Sequence, residues 1–273
     1  MLTTMYTTLG RIWPWFRKVT KLGMYQFMAK IHQKKSWSFM NYGYAPLEEG
    51  AETLPLDQAD EPNRYCIQLY HHVAGAVDLR GKRVLEVGSG RGGGADYVQR
   101  YLKPYTMVGV DYSARAVELS NRHYGAHRVG LAYVPGDAEV LPFDDNSFDA
   151  VINVESSHCY RAMDVFLAEV VRILRPGGHF LFADFRSGDQ LTDLDAQLRR
   201  SGLVERSRQD ITPNVVRALD IDHARKQSQI QENAPWWITT LFAQFAGLKG
   251  SRIYRQFQDR ALIYMRFVLQ KAA

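Results

Sequence analysis

Cysteine is scarce. The chain of 273 residues has two, Cys66 and Cys159, too few for a disulfide framework, which points to a reducing compartment. No run of about 18 apolar residues occurs, so no segment reads as a transmembrane helix. The N-terminus lacks a continuous apolar stretch ending in a small-residue cleavage site. No secretory leader is therefore expected, and the cytoplasm is the expected location. Internal repeats and low-complexity tracts are also missing.

Acidic residues are absent from one whole region. None precedes Glu48, while Arg11, Arg17, Lys18, Lys21, Lys30, Lys34 and Lys35 all fall there, interleaved with Trp13, Trp15, Phe16, Tyr25, Phe27, Trp37 and Phe39. Two readings stand side by side. Basic residues beside interfacial aromatics let residues 1–40 contact an anionic membrane surface as a peripheral partner. Alternatively the segment is a solvated arm or lid helix whose aromatics pack on the core. The net charge is +5 and the basic bias is local. With no nucleic-acid motif beside it, no nucleic-acid partner is expected; no metal is expected either.

What is present is ordinary globular composition, 46% hydrophobic and 23% charged, in a chain long enough for one large buried core. Residues 1–62 read as an N-terminal arm and lid, ending in a loop rich in Glu, Asp and Pro. Residues 63–273 read as the main domain, with 63–79 a helix carrying Ile67, Leu69, Tyr70 and Val73. From residue 81 short β-rich runs alternate with helical ones. Strands are expected at 83–89, 106–112, 131–137, 147–156 and 179–185, and helices at 95–102, 114–124 and 162–174. A helix at 189–202, a strand at 203–212, a helical insertion at 213–258 and a final strand at 260–270 follow. This alternation predicts an α/β fold, a doubly wound, mostly parallel, Rossmann-like sheet with its crevice at the carboxyl ends of the strands.

Glu86-Val87-Gly88-Ser89-Gly90-Arg91-Gly92 directly follows the first strand. Glycines there let the backbone turn sharply and a ligand approach closely, but alone they suit several nucleotide-like cofactors. Asp111, in VGVDYS before Tyr112 and Ser113, ends the second strand, where a carboxylate can accept from ribose hydroxyls. Gly136-Asp137-Ala138 ends the third, where an acid can accept from an adenine amine. LPFDDNSFD (141–149) leads into strand four, and Arg175-Pro176-Gly177-Gly178 stops a helix before strand five.

The ordered set EVGSGRGG, VGVDYS, PGDAEVLPFDDNSFDAV and ILRPGGHFLFADF closely resembles the class I S-adenosylmethionine-dependent methyltransferases. The resemblance implies seven strands in the order 3-2-1-4-5-7-6, with strand seven antiparallel, and S-adenosyl-L-methionine as cofactor. It implies that Gly88 and Gly90 lie along the methionine part, Asp111 at the ribose, Asp137 and Ala138 at adenine, and Asn153 or Glu155 near the methionine moiety, with Glu86 and Tyr112 as further cofactor-binding residues. Glu86 stands where many members have Asp, and Ser89 where many have Cys. A dehydrogenase would carry a tighter Gly-x-Gly-x-x-Gly fingerprint than GSGRGGG.

Methyl transfer needs an aligned acceptor, excluded water and, for an alcohol, a base. His158, in Val154-Glu155-Ser156-Ser157-His158-Cys159-Tyr160 at the crevice mouth, is the candidate catalytic base. The stretch from Asn153 to Ser156 departs from the [DNS]-P-P-[FY] pattern of nucleobase and amide N-methyltransferases.

Phe39-Met40-Asn41-Tyr42-Gly43-Tyr44 resembles the segment that folds over the cofactor in small-molecule methyltransferases, making Tyr42 and Tyr44 candidate substrate residues. Asp60-Glu61-Pro62-Asn63-Arg64, Arg91-Gly92-Gly93-Gly94-Ala95, Asn153 to Tyr160 and Phe166-Leu167-Ala168-Glu169-Val170 look like the phthiotriolone/phenolphthiotriolone dimycocerosate methyltransferase group. That resemblance implies O-methylation of a hydroxyl on a hydrophobic lipid or polyketide. Glu155, Trp236 and Trp237 join the substrate candidates, with Phe242 and Phe245 as further greasy surface. C- or N-methylation of a sterol-like or other natural product, and a non-catalytic cofactor-binding scaffold, are the competing readings.

Overall fold

Arg83–Val87 forms β1, an interior strand of the sheet, and every residue after Arg83 is buried. A strand covered on both faces reads as a nearly continuous apolar run, here interrupted only by Glu86. The computed structural model describes residues 37–48, 50–233 and 239–273. Most of the basic arm and both Trp236 and Trp237 lie outside the described residues.

β1 pairs in parallel with β2 (Thr106–Asp111) on one side and β4 (Phe148–Val154) on the other. β3 (Leu131–Pro135) extends the sheet beyond β2, and β5 (Leu174–Arg186) lies beside β4. β7 (Ile263–Gln270) runs antiparallel between β5 and the edge strand β6 (Val204–Asp210). The order is β3-β2-β1-β4-β5-β7-β6, as expected. The order reverses at β1 and β4, so the carboxyl ends of these strands open the crevice.

Helices cover both faces. On one lie α1 (Arg64–Ala74), the short α2 (Gly93–Tyr97), α6 (Thr212–Ile221) and α9 (Arg252–Gln258), contributing Ile67, Tyr97, Val215 and Phe257 to a single core. On the other, α4 (Met163–Ile173) and α5 (Gly188–Arg200) bury Phe166, Val170, Leu194 and Leu198 against Phe180, Phe182 and Phe267. Truncating any of these buried phenylalanines to Ala would cost about 3–5 kcal/mol. α3 (Ala114–His123) starts on a cap in which the Ser113 hydroxyl accepts from the Ala116 N–H. α7 (His223–Asn233) and α8 (Thr239–Phe245) complete the insertion before β7. Its Ile230, Phe242 and Leu248 pack with Trp37, joining the insertion to the start of the strap at residues 37–48.

Local differences have local causes. The helix after the glycine loop is one α turn followed by a π turn at Val98–Leu102, closed by Lys103 at φ 51°. β5 begins at Leu174 because the Arg175–Gly178 turn stays within the strand as a bulge. Phe148 faces Leu174 and Ala150 faces His179, so four residues oppose one. α1 ends at Ala74 rather than 79, where the Gly75 N–H returns to the His71 carbonyl. Among the described residues, no helix is long and apolar enough to cross a membrane.

Candidate active site

A cavity of about 320 Å³ opens at the carboxyl ends of β1, β2 and β4, lined among others by Gly88, Gly90, Asp111, Asp137, Glu155 and His158. Its floor is the loop after β1. Gly88 and Gly90 have φ of 79° and 53°, a region side chains rarely adopt. A Cβ on Gly88 would lie 2.3 Å from the Ser156 hydroxyl. Asp111, at the end of β2, accepts from the Gly90 N–H (2.8 Å) and the Ser113 N–H (2.9 Å). Burial pushes its carboxyl above the usual range, and these two backbone donors oppose that shift. Asp137 accepts from the Glu139 N–H at 2.9 Å and pairs with Arg161 at 3.0 Å. Ala138 lies beside it, and Tyr112, 53% exposed, stands at the rim.

The opposite end of the cavity is built by β4 and β5. Their register places Val154 beside Ala183, so the loop after β4 reaches Asp184. His158 Nδ1 lies 2.8 Å from Asp184 Oδ1, and the His158 N–H donates to Oδ2 at 2.9 Å. Ser157 Oγ donates to the same carboxylate at 2.7 Å, and Arg186 pairs with it at 3.1 Å. Burial alone would lower the His158 pKa, but the adjacent Asp184 carboxylate outweighs it and raises it. Burial would raise Asp184, yet His158 and Arg186 hold it well below the usual carboxylate range. The Cys159 thiol is a further partner of the imidazole.

The strap closes the cavity from above. Glu155 Oε1 accepts from the Tyr42 N–H (2.8 Å) and from the Tyr264 hydroxyl of β7 (2.9 Å). Lys226 Nζ donates to the Tyr42 carbonyl at 3.2 Å. Tyr42 of the strap is thus held through its N–H by the loop after β4 and through its carbonyl by the insertion. Burial pushes Glu155 up to about 7, against the pull of its two donors.

Comparison with known proteins gives this geometry its family. A "Methyltransferase domain" family model matches residues 85–182. The phthiotriol/phenolphthiotriol dimycocerosates methyltransferase of Mycobacterium leprae (strain TN) is 37% identical over 270 residues, covering 98% of this chain and 94% of that one. This chain belongs to that methyltransferase family. The fatty-acid O-methyltransferase of Mycolicibacterium smegmatis (strain ATCC 700084 / mc(2)155) is 37% identical over 250 residues, covering 92% and 89%. Among solved structures, the cyclopropane synthase MmaA2 from Mycobacterium tuberculosis shares the fold at a TM-score of 0.67 and 15% identity, covering 89% and 93%. Geranyl diphosphate C-methyltransferase from Streptomyces coelicolor A3(2) shares it at 0.63 and 16%, covering 91% and 98%.

In this methyltransferase Gly88, Gly90, Asp111, Tyr112, Asp137, Ala138, Glu155, His158 and Tyr42 all line one cavity. Among the described candidates, three do not line it. Glu86 lies behind the glycine loop, buried, where the Tyr70 hydroxyl donates to it at 2.6 Å. Asn153 is fully buried beneath the floor, its Nδ2 reaching the Val87 carbonyl (2.8 Å), Ser156 Oγ (2.8 Å) and Tyr160 Oη (3.0 Å). Tyr44 faces away from the cavity and stacks on His72, with ring centroids 4.2 Å apart. Glu86 and Asn153 shape the loops that form the site, and Tyr44 anchors the strap.

Asp184, Arg186, Tyr264 and Arg91 carry no role in the sequence reading. Asp184 had a signal: an acid inside the apolar run FLFADF is a buried charge that needs partners. Arg91, buried on the glycine loop and lining the cavity, stood inside the motif itself.

Proposed function

We propose that this methyltransferase uses S-adenosylmethionine to methylate a hydroxyl oxygen of a hydrophobic lipid, with His158 as general base. The residues present suit that cofactor. The glycine loop admits close backbone approach, Asp111 offers a carboxylate for the ribose hydroxyls, and Asp137 with Ala138 offers an acceptor and space for adenine. Arg91 supplies a cation for the methionine carboxylate. When bound, the cofactor supplies a sulfonium methyl already activated for displacement.

The protein's own part is to hold the acceptor and take a proton. The observation that carries the proposal is the His158–Asp184 pair. Asp184 occupies Nδ1 and sets the ring orientation, so Nε2 is the nitrogen that would take the hydroxyl proton as the oxygen–carbon bond forms. The Ser157 and Arg186 contacts fix the carboxylate and balance its charge. The strap, pinned through Tyr42, separates the reacting atoms from bulk water. A lipid acceptor is supported by the relatives' names and by the apolar wall of Phe39, Met40, Phe185 and Phe245. The test is transfer of labelled methyl to long-chain alcohols. An ether product is expected, and its absence across a chain-length series would contradict the proposal.

A further inference from the structure

Glu155 is a non-glycine residue held at φ 50°, a strained conformation that persists only when its surroundings enforce it. The enforcement is visible: Oε1 accepts from both the Tyr42 N–H and the Tyr264 hydroxyl. Among the described residues, no hydrogen-bond donor reaches Oε2, while the side chain lines the cavity beside His158. Among the described residues, the cations at or near the cavity lie elsewhere or are committed, the His158 imidazole to Asp184. Arg91 belongs to the glycine loop, Arg161 pairs with Asp137 and Glu139, and Arg186 is bound to Asp184 and Ser157.

Resting on the lipid O-methylation proposed above, we infer that Glu155 sets the acceptor class, admitting a neutral hydroxyl and rejecting a carboxylate. The acceptor hydroxyl, or a neighbouring hydroxyl of the same molecule, can donate to Oε2. A carboxylate has no proton to donate and meets a like charge instead. A carboxylate also needs no base, so the His158–Asp184 pair serves an alcohol acceptor and would be idle for a fatty acid. The relatives include enzymes named for each kind of acceptor, so the choice is a real one for this fold.

Glu155→Gln isolates the charge. Its carbonyl oxygen still accepts from Tyr42 and Tyr264, while its amide turns a donor toward the cavity. The assay runs the enzyme with a long-chain 1,2-diol and a fatty acid of equal chain length, at a pH of about 8, where a carboxylate with a pKa near 7 is mostly ionised. Wild type should favour the diol in kcat/KM, and Glu155→Gln should shift the ratio toward the acid by about 100-fold. A ratio unchanged in a folded variant, or a wild type that favours the acid, overturns the inference. Methylation of neither acceptor instead brings down the lipid O-methylation reading beneath it. Should the variant fail to fold, equilibrium binding of both acceptors to wild type with S-adenosylhomocysteine decides: tighter diol binding supports the inference, tighter acid binding overturns it.

Discussion

His158 Nδ1 and Asp184 Oδ1 lie 2.8 Å apart, although 26 residues separate them in sequence. The contact exists because β4 and β5 are neighbours in parallel register, so the loop leaving one meets the end of the other. Asp184→Asn keeps the shape but removes the charge. It should lower kcat by about 10²–10⁴-fold while leaving S-adenosylhomocysteine affinity within a factor of about three, because nothing at the cofactor end depends on it. Steady-state kinetics beside calorimetric titration separates the two effects.

The same carboxylate also carries stability. Asp184→Ala strands Arg186 and His158 in a buried site without their counter-charge, which should cost about 3–5 kcal/mol. Urea denaturation of the variant would show an unchanged slope and a lower midpoint. A midpoint equal to wild type would mean that the pair is solvated.

The raised His158 pKa fixes the sign of the pH dependence. In the proposed mechanism deprotonated imidazole is the base, so kcat should still be rising with pH above the ordinary histidine range near 6.5. Asp184→Asn removes the charge that raises the group, so its rising limb should move to lower pH. The stability linkage runs the opposite way with pH. A histidine whose folded pKa is raised adds stability that is full below 6.5. That stability is lost as pH climbs through the folded value. A rate profile flat from pH 6 to 9 would remove His158 from the proton transfer.

Gly88→Ala should abolish detectable cofactor binding, because the new Cβ would sit 2.3 Å from Ser156 Oγ at a φ of 79°. Gly81 is the control. It has φ 71° but open space around it, so Gly81→Ala should cost about 1–2 kcal/mol of stability and leave cofactor affinity unchanged. Equal affinity losses in both variants would point to general destabilisation rather than to the loop.

The strand order and the loops after β1, β2 and β3 that line the cavity were legible because their signals are local. A glycine loop after a strand and acids at the ends of β2 and β3 need only sequence spacing and alternation. The end of the cavity built by β4 and β5 was legible only in part. His158 stood out, and Asp184 signalled a buried charge in an apolar strand, but only the register of β4 and β5 showed which partners it meets. Tyr44 followed Tyr42 by two residues, yet Gly43 at φ 93° breaks the strap between them and the two rings part. Asn153 and Glu155 could not be told apart by position. β4 buries Asn153 beneath the floor, whereas the left-handed turn at Glu155 aims that side chain into the cavity.

The most direct measurement is transfer of labelled methyl from S-adenosylmethionine to a long-chain alcohol by wild type and His158→Ala, with S-adenosylhomocysteine affinity measured on both. The account predicts an ether product from wild type. It predicts a loss of at least about 100-fold in His158→Ala, with cofactor affinity retained. Wild-type turnover undiminished in His158→Ala, or loss of cofactor binding in that variant, would contradict the assignment of His158 as the base.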